Sequence, residues 1–233
     1  MKTVLVDADI IAYRAAFATQ EDTEYDARQS VDDLCTSIMY TCSYPDNFTL
    51  GEDAFFYLTG TGNFRFDVAT IKPYKGKRGE KPKHLKATRD QLQVNWSAEV
   101  VDGQEADDAI SIKATELEGD CVVVTIDKDL MIVPATHYNF VKGTWKTVSE
   151  SQGSRFFYMQ LLTGDPVDNI QGVKGIGPKK AEKAYEGCTT VQEYYNKALE
   201  MYGGNVEELV ENARLLWLRR YEGEMWEPPV EQT

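Results

Sequence analysis

At 233 residues, with 42% hydrophobic and 27% charged content, the chain is long enough to bury a sizeable core as one unit or as two closely packed lobes. Its apolar runs fall short of membrane-spanning length, and its four cysteines and two histidines lack the close spacing of zinc ligands, so a membrane span and a zinc site are both disfavoured. A formal net charge of −13 speaks against a polycationic nucleic-acid binder, but the charge is unevenly distributed.

The N-terminus passes from Met1 and Lys2 into a strand without a signal-peptide pattern, so the expected address is the cytoplasm, that of the host cell if the chain is phage-encoded, with thiols reduced and buried. Thr3 to Val6 reads as a short buried strand and leaves Asp7 at its carboxyl end, where the sites of open α/β sheets gather. Asp9 reads as a helix cap for Ile10 to Phe17. Val31, Leu34, Cys35, Ile38 and Cys42 recur at helical spacing within a helix expected over Asp26 to Ser43, and Ala54 to Leu58 follows as a strand.

A basic strip then carries Lys72, Lys75, Lys77, Arg78, Lys81, Lys83, Lys86 and Arg89, opposed by Glu80 alone until Asp90. Pro73, Gly76, Gly79 and Pro82 break its first half, whereas Pro82 to Val94 can be helical. A solvated surface loop would explain the strip. Its core, Tyr74 to Arg78, also suits a substrate clamp in which the ring stacks on a base while the cations hold phosphates.

Glu99 to Val101 is a short strand candidate, and Gln104 to Glu118 a helix whose first turn holds Glu105, Asp107 and Asp108. That is more acid than the helix dipole needs; Glu105 and Asp108 are expected to share a face while Asp107 points elsewhere. Cys121 to Ile126 reads as a central parallel strand ending in Asp127, Lys128 and Asp129. His137 to Val141 and Trp145 to Val148 are further strand candidates, followed by helices at Ser154 to Leu162, Val191 to Met201 and Val206 to Arg220, then a frayed tail with Pro228 and Pro229. Strands alternating with helices over the first two thirds predict an α/β parallel sheet at residues 1–150, with a basic arch-like segment at 70–95 and a helical region at 151–233.

The stretch from Thr163 to Ala184 places Asp165 and Asp168 ahead of a turn through Gly172, Gly175 and Gly177, and Pro178 then opens a helix with Lys179, Lys180 and Lys183. One half suits a divalent metal and the other a nucleic-acid backbone. If the four acidic groups converge, like charges a few ångströms apart repel by roughly 4 kcal/mol per close pair at an effective dielectric near 20, so cations or bound protons are required. All-oxygen donors point to Mg²⁺ or Mn²⁺, and two ions about 4 Å apart would activate water and stabilise the leaving oxygen.

In this order, VDADIIAYR (Val6 to Arg14), NFR with PYKGKR (Asn63 to Arg78), QEADD (Gln104 to Asp108), TIDKD (Thr125 to Asp129) and GDPVDNIQGVKGIGPKKA (Gly164 to Ala181) resemble the flap endonuclease and 5′ to 3′ exonuclease family, particularly its short phage-encoded members. The resemblance implies a PIN-like α/β fold and Mg²⁺-dependent cleavage of DNA or RNA from or near a 5′ end, on duplexes with a nick or flap or on RNA–DNA hybrids. It implies Asp7, Glu105 and Asp107 as ligands of the first metal position and Asp108, Asp127, Asp129, Asp165 and Asp168 as the second group. Asp107 and Asp127, with Lys75 and Arg78 at the scissile phosphate, would be catalytic, and Tyr74, Lys77 and Arg14 would lie beside the nucleic acid. Residues 164–185 resemble a helix-three-turn-helix that grips the duplex through Gly175, Gly177, Lys179 and Lys180 and binds K⁺ through main-chain carbonyls.

One departure stands out. Relatives commonly carry an Asp shortly before the FR pair, where this chain reads LTGTGNFR with Gly60, leaving Asp67 or Asp9 as substitutes. Two competing readings follow: a PIN-type ribonuclease acting on single-stranded RNA, and a degenerate nuclease retained for DNA binding.

Overall fold

The computed structural model describes residues 2–43, 48–76 and 79–230. Val4, Leu5 and Val6 of strand β1 (Thr3–Asp7) are fully buried, because β1 runs through the middle of a sheet covered on both faces. The chain continues through α1 (Ala8–Ala18), α2 (Glu24–Ser43), β2 (Ala54–Thr59), the single turn α3 (Arg65–Val68), α4 (Leu85–Trp96), β3 (Glu99–Val101), α5 (Ala106–Glu116) and β4 (Cys121–Val124). A 3₁₀ turn at Asp129–Ile132 then leads to β5 (Ala135–Asn139) and β6 (Thr144–Val148).

The sheet order is β3-β2-β1-β4-β5-β6, parallel from β3 to β5, with β6 added antiparallel as an edge. Val4 and Val6 pack against α1, α2 and α4 on one face, while Leu5 meets Ile110 and Ala114 of α5 on the other. The chain leaves β1 for β2 on one side and later returns to β4 on the other. A crevice therefore opens beyond the carboxyl ends of β1 and β4, where Asp7 and Asp127 stand.

A second core gathers around α6 (Glu150–Thr163), the short hairpin β7 (Gly164–Asp165) with β8 (Ile170–Gln171), α7 (Pro178–Ala184), α8 (Val191–Met201) and α9 (Val206–Leu216). Tyr158 and Tyr185 are buried here, and Tyr194 stacks on Tyr158 at 5.5 Å between ring centroids. The architecture is the expected α/β sheet flanked by helices, with helices clustered at the C-terminal end.

Several boundaries depart from the sequence reading for local reasons. Helix α6 begins at Glu150 rather than Ser154, because Ser149 and Gln152 form a reciprocal capping box. Helix α9 stops at Leu216 rather than Arg220, because the Arg65 guanidinium takes the carbonyls of Leu215 (2.9 Å) and Trp217 (2.7 Å) out of the helical ladder. The segment beyond α9 is tied down well past that point: Trp226 is buried beside Phe157, and its carbonyl accepts from Arg214 Nε. Asp7, not Asp9, caps α1, accepting from the Ile10 N–H at 3.3 Å.

The basic strip is held at its N-terminal end. Glu211 of α9 accepts from the backbone N–H groups of Thr70 (2.9 Å) and Ile71 (2.8 Å), and Asn169 donates to the Pro73 carbonyl at 2.9 Å. Its second half is a core helix rather than part of a free arch: Leu85, Ala87, Thr88 and Leu92 of α4 are buried, and the Thr88 hydroxyl donates to the Ala12 carbonyl.

Candidate metal centre and nucleic-acid interface

Asp7 has no room to move. Its two carboxylate oxygens accept from the Ile10 N–H at 3.3 Å and the Thr125 hydroxyl at 3.0 Å, so the end of β1, the start of α1 and the end of β4 are locked together. Burial, then the nearby Asp9 and Asp127 charges, push its carboxyl up to about 7 against the pull of those two hydrogen bonds. Asp107, in the first turn of α5, is raised well above the usual range by burial and then by the charges of Asp7, Asp127 and Glu105, with Lys75 acting the other way. Asp127 is fixed by its own turn, accepting from the Asp129 N–H at 2.9 Å.

These carboxylates open on a cleft of about 1210 Å³ whose lining includes Asp7, Glu105, Asp107 and Asp127, with Arg14, Lys75, Lys81 and Arg89 also on its wall. Its outer part exposes Phe17 and Ile126.

A second acidic group lies at the 3₁₀ turn and the β7–β8 hairpin. Asp165, almost wholly buried, accepts from the Val167 N–H at 2.8 Å. Burial opposes its ionisation, but that N–H and Lys128 outweigh it and hold the carboxyl below its usual range. Asp129 is pushed up to about 7 by burial and then by Asp127. Asp168 is raised chiefly by burial and faces Lys75 at 3.6 Å.

Two lysines stand among these acids. Lys75 Nζ lies 2.5 Å from Glu105 Oε1, and Lys128 Nζ lies 3.3 Å from Asp129 Oδ1 and 3.2 Å from Asp165 Oδ2. Among the described residues no three carboxylates enclose one point tightly enough to hold an ion as they stand. The donor chemistry nevertheless fits hard divalent cations: the groups are carboxylates on fixed backbone, and their mutual repulsion calls for more positive charge than two ammonium groups supply.

Two expected site residues belong elsewhere. Asp108 is fully buried and takes both Arg65 guanidinium nitrogens, at 2.6 and 2.9 Å, together with the N–H groups of Glu105 (3.0 Å) and Arg219 (3.1 Å). Burial opposes its charge, yet Arg65 holds its carboxyl low, and no acceptor is left for a cation, so it is a structural anchor and not a metal ligand. The face expected for Glu105 and Asp108 is thus reversed: Glu105 and Asp107 line the cleft. Tyr74 is buried and cannot stack on a base; its hydroxyl is shared between Glu105 Oε2 (3.0 Å) and Asp168 Oδ2 (2.8 Å), joining the two acidic groups.

Lys77 and Arg78 lie outside the described residues. Arg14 is exposed on the cleft wall. At the Gly-rich turn, Gly175 adopts φ +80°, Gly177 precedes α7 in extended conformation, and Lys179 and Lys180 are exposed. Lys180 Nζ donates to the Gly175 carbonyl at 2.8 Å, so one main-chain oxygen of the turn already carries a cationic partner. Gly172 serves a different purpose: a Cβ there would sit 2.3 Å from Gly164 N, so these two glycines close the hairpin that carries Asp165 and Asp168.

Gly60 likewise has a steric reason. A Cβ at this position would meet Asp102 Oδ1 at 2.3 Å and the Val101 carbonyl at 2.7 Å, so the Asp102 carboxylate, held by the Thr61 N–H and hydroxyl, fills that corner of the cleft. Asp9 is committed to Arg89 and to the Thr59 N–H (2.8 Å), and Asp67 is exposed and not on the cleft wall, so neither stands in for the missing acid. Sequence reasoning gave no role to Arg65, Thr125, Asp102 or Gln160, whose Nε2 donates to Asp129 Oδ1. Thr125 was detectable inside TIDKD, but the partners of Arg65 and Asp102 are too distant in the chain to show any pattern.

The family described as the 5′-3′ exonuclease, N-terminal resolvase-like domain, matches residues 2–157. The 5′-3′ exonuclease of Mycoplasma pneumoniae is 28% identical over 208 residues, covering 76% of this chain and 69% of that protein. DNA polymerase I of Rhizobium leguminosarum is 32% identical over 158 residues, or 59% of this chain and 15% of the polymerase. That of Caldicellulosiruptor bescii is 27% identical over 242 residues, or 91% and 27%. The chain thus spans 15% to 27% of the length of these two polymerases. Among solved structures, the bacteriophage T5 flap endonuclease in a pseudo-enzyme–product complex with DNA and metal ions aligns with TM-score 0.71 at 17% identity, covering 93% of this chain and 89% of that one. The catalytic core of Rad2 with a DNA substrate aligns with TM-score 0.54 at 15% identity, covering 91% and 72%. These last two are likenesses of fold. With more than half of its length matched, the chain belongs to the 5′-3′ exonuclease family, through that family's N-terminal resolvase-like domain.

Proposed function

We propose that this chain is a divalent-metal-dependent 5′ nuclease that hydrolyses phosphodiester bonds of duplex DNA at or near a 5′ end, at a nick, a flap or an RNA–DNA hybrid terminus. The observation that carries the reading is the convergence of Asp7, Glu105, Asp107 and Asp127, from the end of β1, the start of α5 and the turn after β4, on the wall of one cleft, where burial and then the other three acids raise Asp107. Clustered carboxylates in a cleft 1210 Å³ in volume favour a cationic guest and a phosphate brought with it.

Asp7, Glu105, Asp107 and Asp127 would hold the first ion, and Asp129, Asp165 and Asp168 the second. Bound Mg²⁺ or Mn²⁺ supplies Lewis acidity toward the phosphate and lowers the pKa of a water for attack. The protein contributes the rest. Thr125 and the α1 N–H fix Asp7, Tyr74 keeps Glu105 and Asp168 in register, and Lys75, once off Glu105, supplies positive charge toward the phosphate. Arg14 and Lys81 on the cleft wall, with Lys77 and Arg78 of the basic strip, would contact flanking phosphates. Gly175, Gly177, Lys179 and Lys180 would grip the duplex backbone farther along, with K⁺ at the turn carbonyls when Lys180 withdraws.

End-labelled nicked, flapped and blunt duplexes, an RNA–DNA hybrid and single-stranded RNA, each assayed with Mg²⁺ and Mn²⁺, test the proposal. Cleavage near the 5′ end of duplexes is expected, and Asp107→Ala or Asp127→Ala should lower it at least 10³-fold, an order of magnitude set by the loss of a metal-held transition state. Full activity in both variants, or cleavage confined to single-stranded RNA, would overturn it.

A further inference from the structure

Lys128 sits between two acids that no other cation among the described residues bridges. It follows Asp127 at the end of β4, and its side chain turns back so that the ammonium lies 3.3 Å from Asp129 Oδ1 and 3.2 Å from Asp165 Oδ2. The remaining partners of those acids are neutral: Gln160 Nε2 donates to Asp129 Oδ1 at 2.5 Å and the Val167 N–H to Asp165 Oδ1 at 2.8 Å. Asp165 is 2% exposed and Asp129 28%, whereas the Lys128 side chain is 61% exposed. The acids are fixed and the cation is free to leave, because its stem already runs through solvent.

We propose that Lys128 is a resident counter-ion of the second acidic group, occupying the gap between Asp129 and Asp165 and yielding it to the second divalent ion. The proposal rests on the reading of that group as a metal position. A carboxylate pair with one member buried needs a cation or a bound proton to offset its repulsion. With an ammonium in place the metal-free protein tolerates the pair, and the second ion enters only by displacing the lysine. The second site is therefore weaker than its carboxylates alone would make it, and it fills after the first.

Titration with Mn²⁺ alone, followed by calorimetry and by the spin-resonance signal of free Mn²⁺, tests this on the full chain. Wild type should bind two ions stepwise. Lys128→Met should tighten the second at least tenfold and leave the first within twofold, and Lys128→Arg, which keeps the charge, should behave like wild type. In wild type, acylation of Lys128 by an amine reagent, read by peptide mass spectrometry, should rise several-fold when Mn²⁺ is added. Two ions bound with unchanged affinities in Lys128→Met would overturn the role of the lysine while leaving the metal reading intact. A single ion in both wild type and Lys128→Met would overturn the metal reading and the proposal together.

Discussion

Between Asp107 and Asp108 the helix turns by about 100°, and that one step separates a carboxylate facing the cleft from one facing a buried arginine. Replacing Asp108 with Asn leaves the Arg65 guanidinium buried beside a neutral amide, and breaking a buried pair in this way costs about 3–5 kcal/mol. Denaturant unfolding of Asp108→Asn should show that loss, while Mn²⁺ affinity measured on the folded fraction stays unchanged. Asp7 carries a different expectation. Its folded carboxyl is pushed up to about 7 from the ordinary 3.8 of an aspartate, so the native state holds this proton more tightly than the unfolded chain. Stability of the metal-free protein should therefore fall as pH rises from about 4 through 7, and Asp129, also near 7, acts with the same sign. Melting in EDTA should occur at lower temperature at pH 8 than at pH 5.5, and Mg²⁺ should restore more at pH 8; Asp7→Asn should flatten part of the slope. The strand ends made Asp7 and Asp127 legible in the sequence, since a carboxylate after a buried apolar run has few other places to go. Asp107 and Asp108 were not separable that way. Glu105 is the extended cap residue of α5 (φ −95°, ψ 162°), so a helical face counted from it does not exist.

At the scale of single elements, the β7–β8 hairpin shows what a short piece of backbone does for the site. Two residues pair on each side, Gly164 with Gln171 and Asp165 with Ile170, and this places Asp165 beside the 3₁₀ turn that bears Asp129 and Asp168 beside Tyr74 and Lys75. Gly164, at φ +72°, and Gly172 approach so closely that neither admits a side chain without moving main chain. Gly172→Ala should thus cost on the order of 1–3 kcal/mol and displace Asp165 and Asp168. A weakened second Mn²⁺ with the first retained is the expected result in the same titration, and an unchanged second ion would count against the hairpin as its mount. Sequence alone placed Gly172 with Gly175 and Gly177 in one phosphate-gripping turn, because glycine spacing carries no sign of what presses against each one. Helix α4 was legible as a helix within Pro82 to Val94, but its packing was not. Its lysines and arginine placed it in a basic arch-like segment, and the charge pattern gave no sign that Leu85, Ala87, Thr88 and Leu92 form a buried face or that Arg89 turns inward to Asp9 and the Thr59 carbonyl.

Across the whole molecule, the sheet and the C-terminal helices are joined at the points where the acids need support. Arg65 binds Asp108 of α5 and the Leu215 and Trp217 carbonyls at the end of α9, Tyr74 links Glu105 to Asp168, and Glu211 secures the root of the basic strip. No helix among the described residues is long and apolar enough to cross a membrane. The net charge of −13 then sets a problem for any phosphate-bearing ligand, because the carboxylates of the cleft repel it before the lysines and arginines can engage. Divalent ions reverse the local sign, so affinity for duplex DNA should depend on them even without cleavage. In EDTA, Asp107→Asn combined with Asp127→Asn should bind a nicked duplex on the order of tenfold more tightly than wild type, as negative charge facing the phosphate is removed. In Ca²⁺ the wild type should recover most of that difference, since the ion neutralises the same charges. Fluorescence anisotropy at fixed ionic strength measures both. Equal affinity of the two proteins in EDTA would mean that the duplex reaches only the basic surfaces and never approaches the acids.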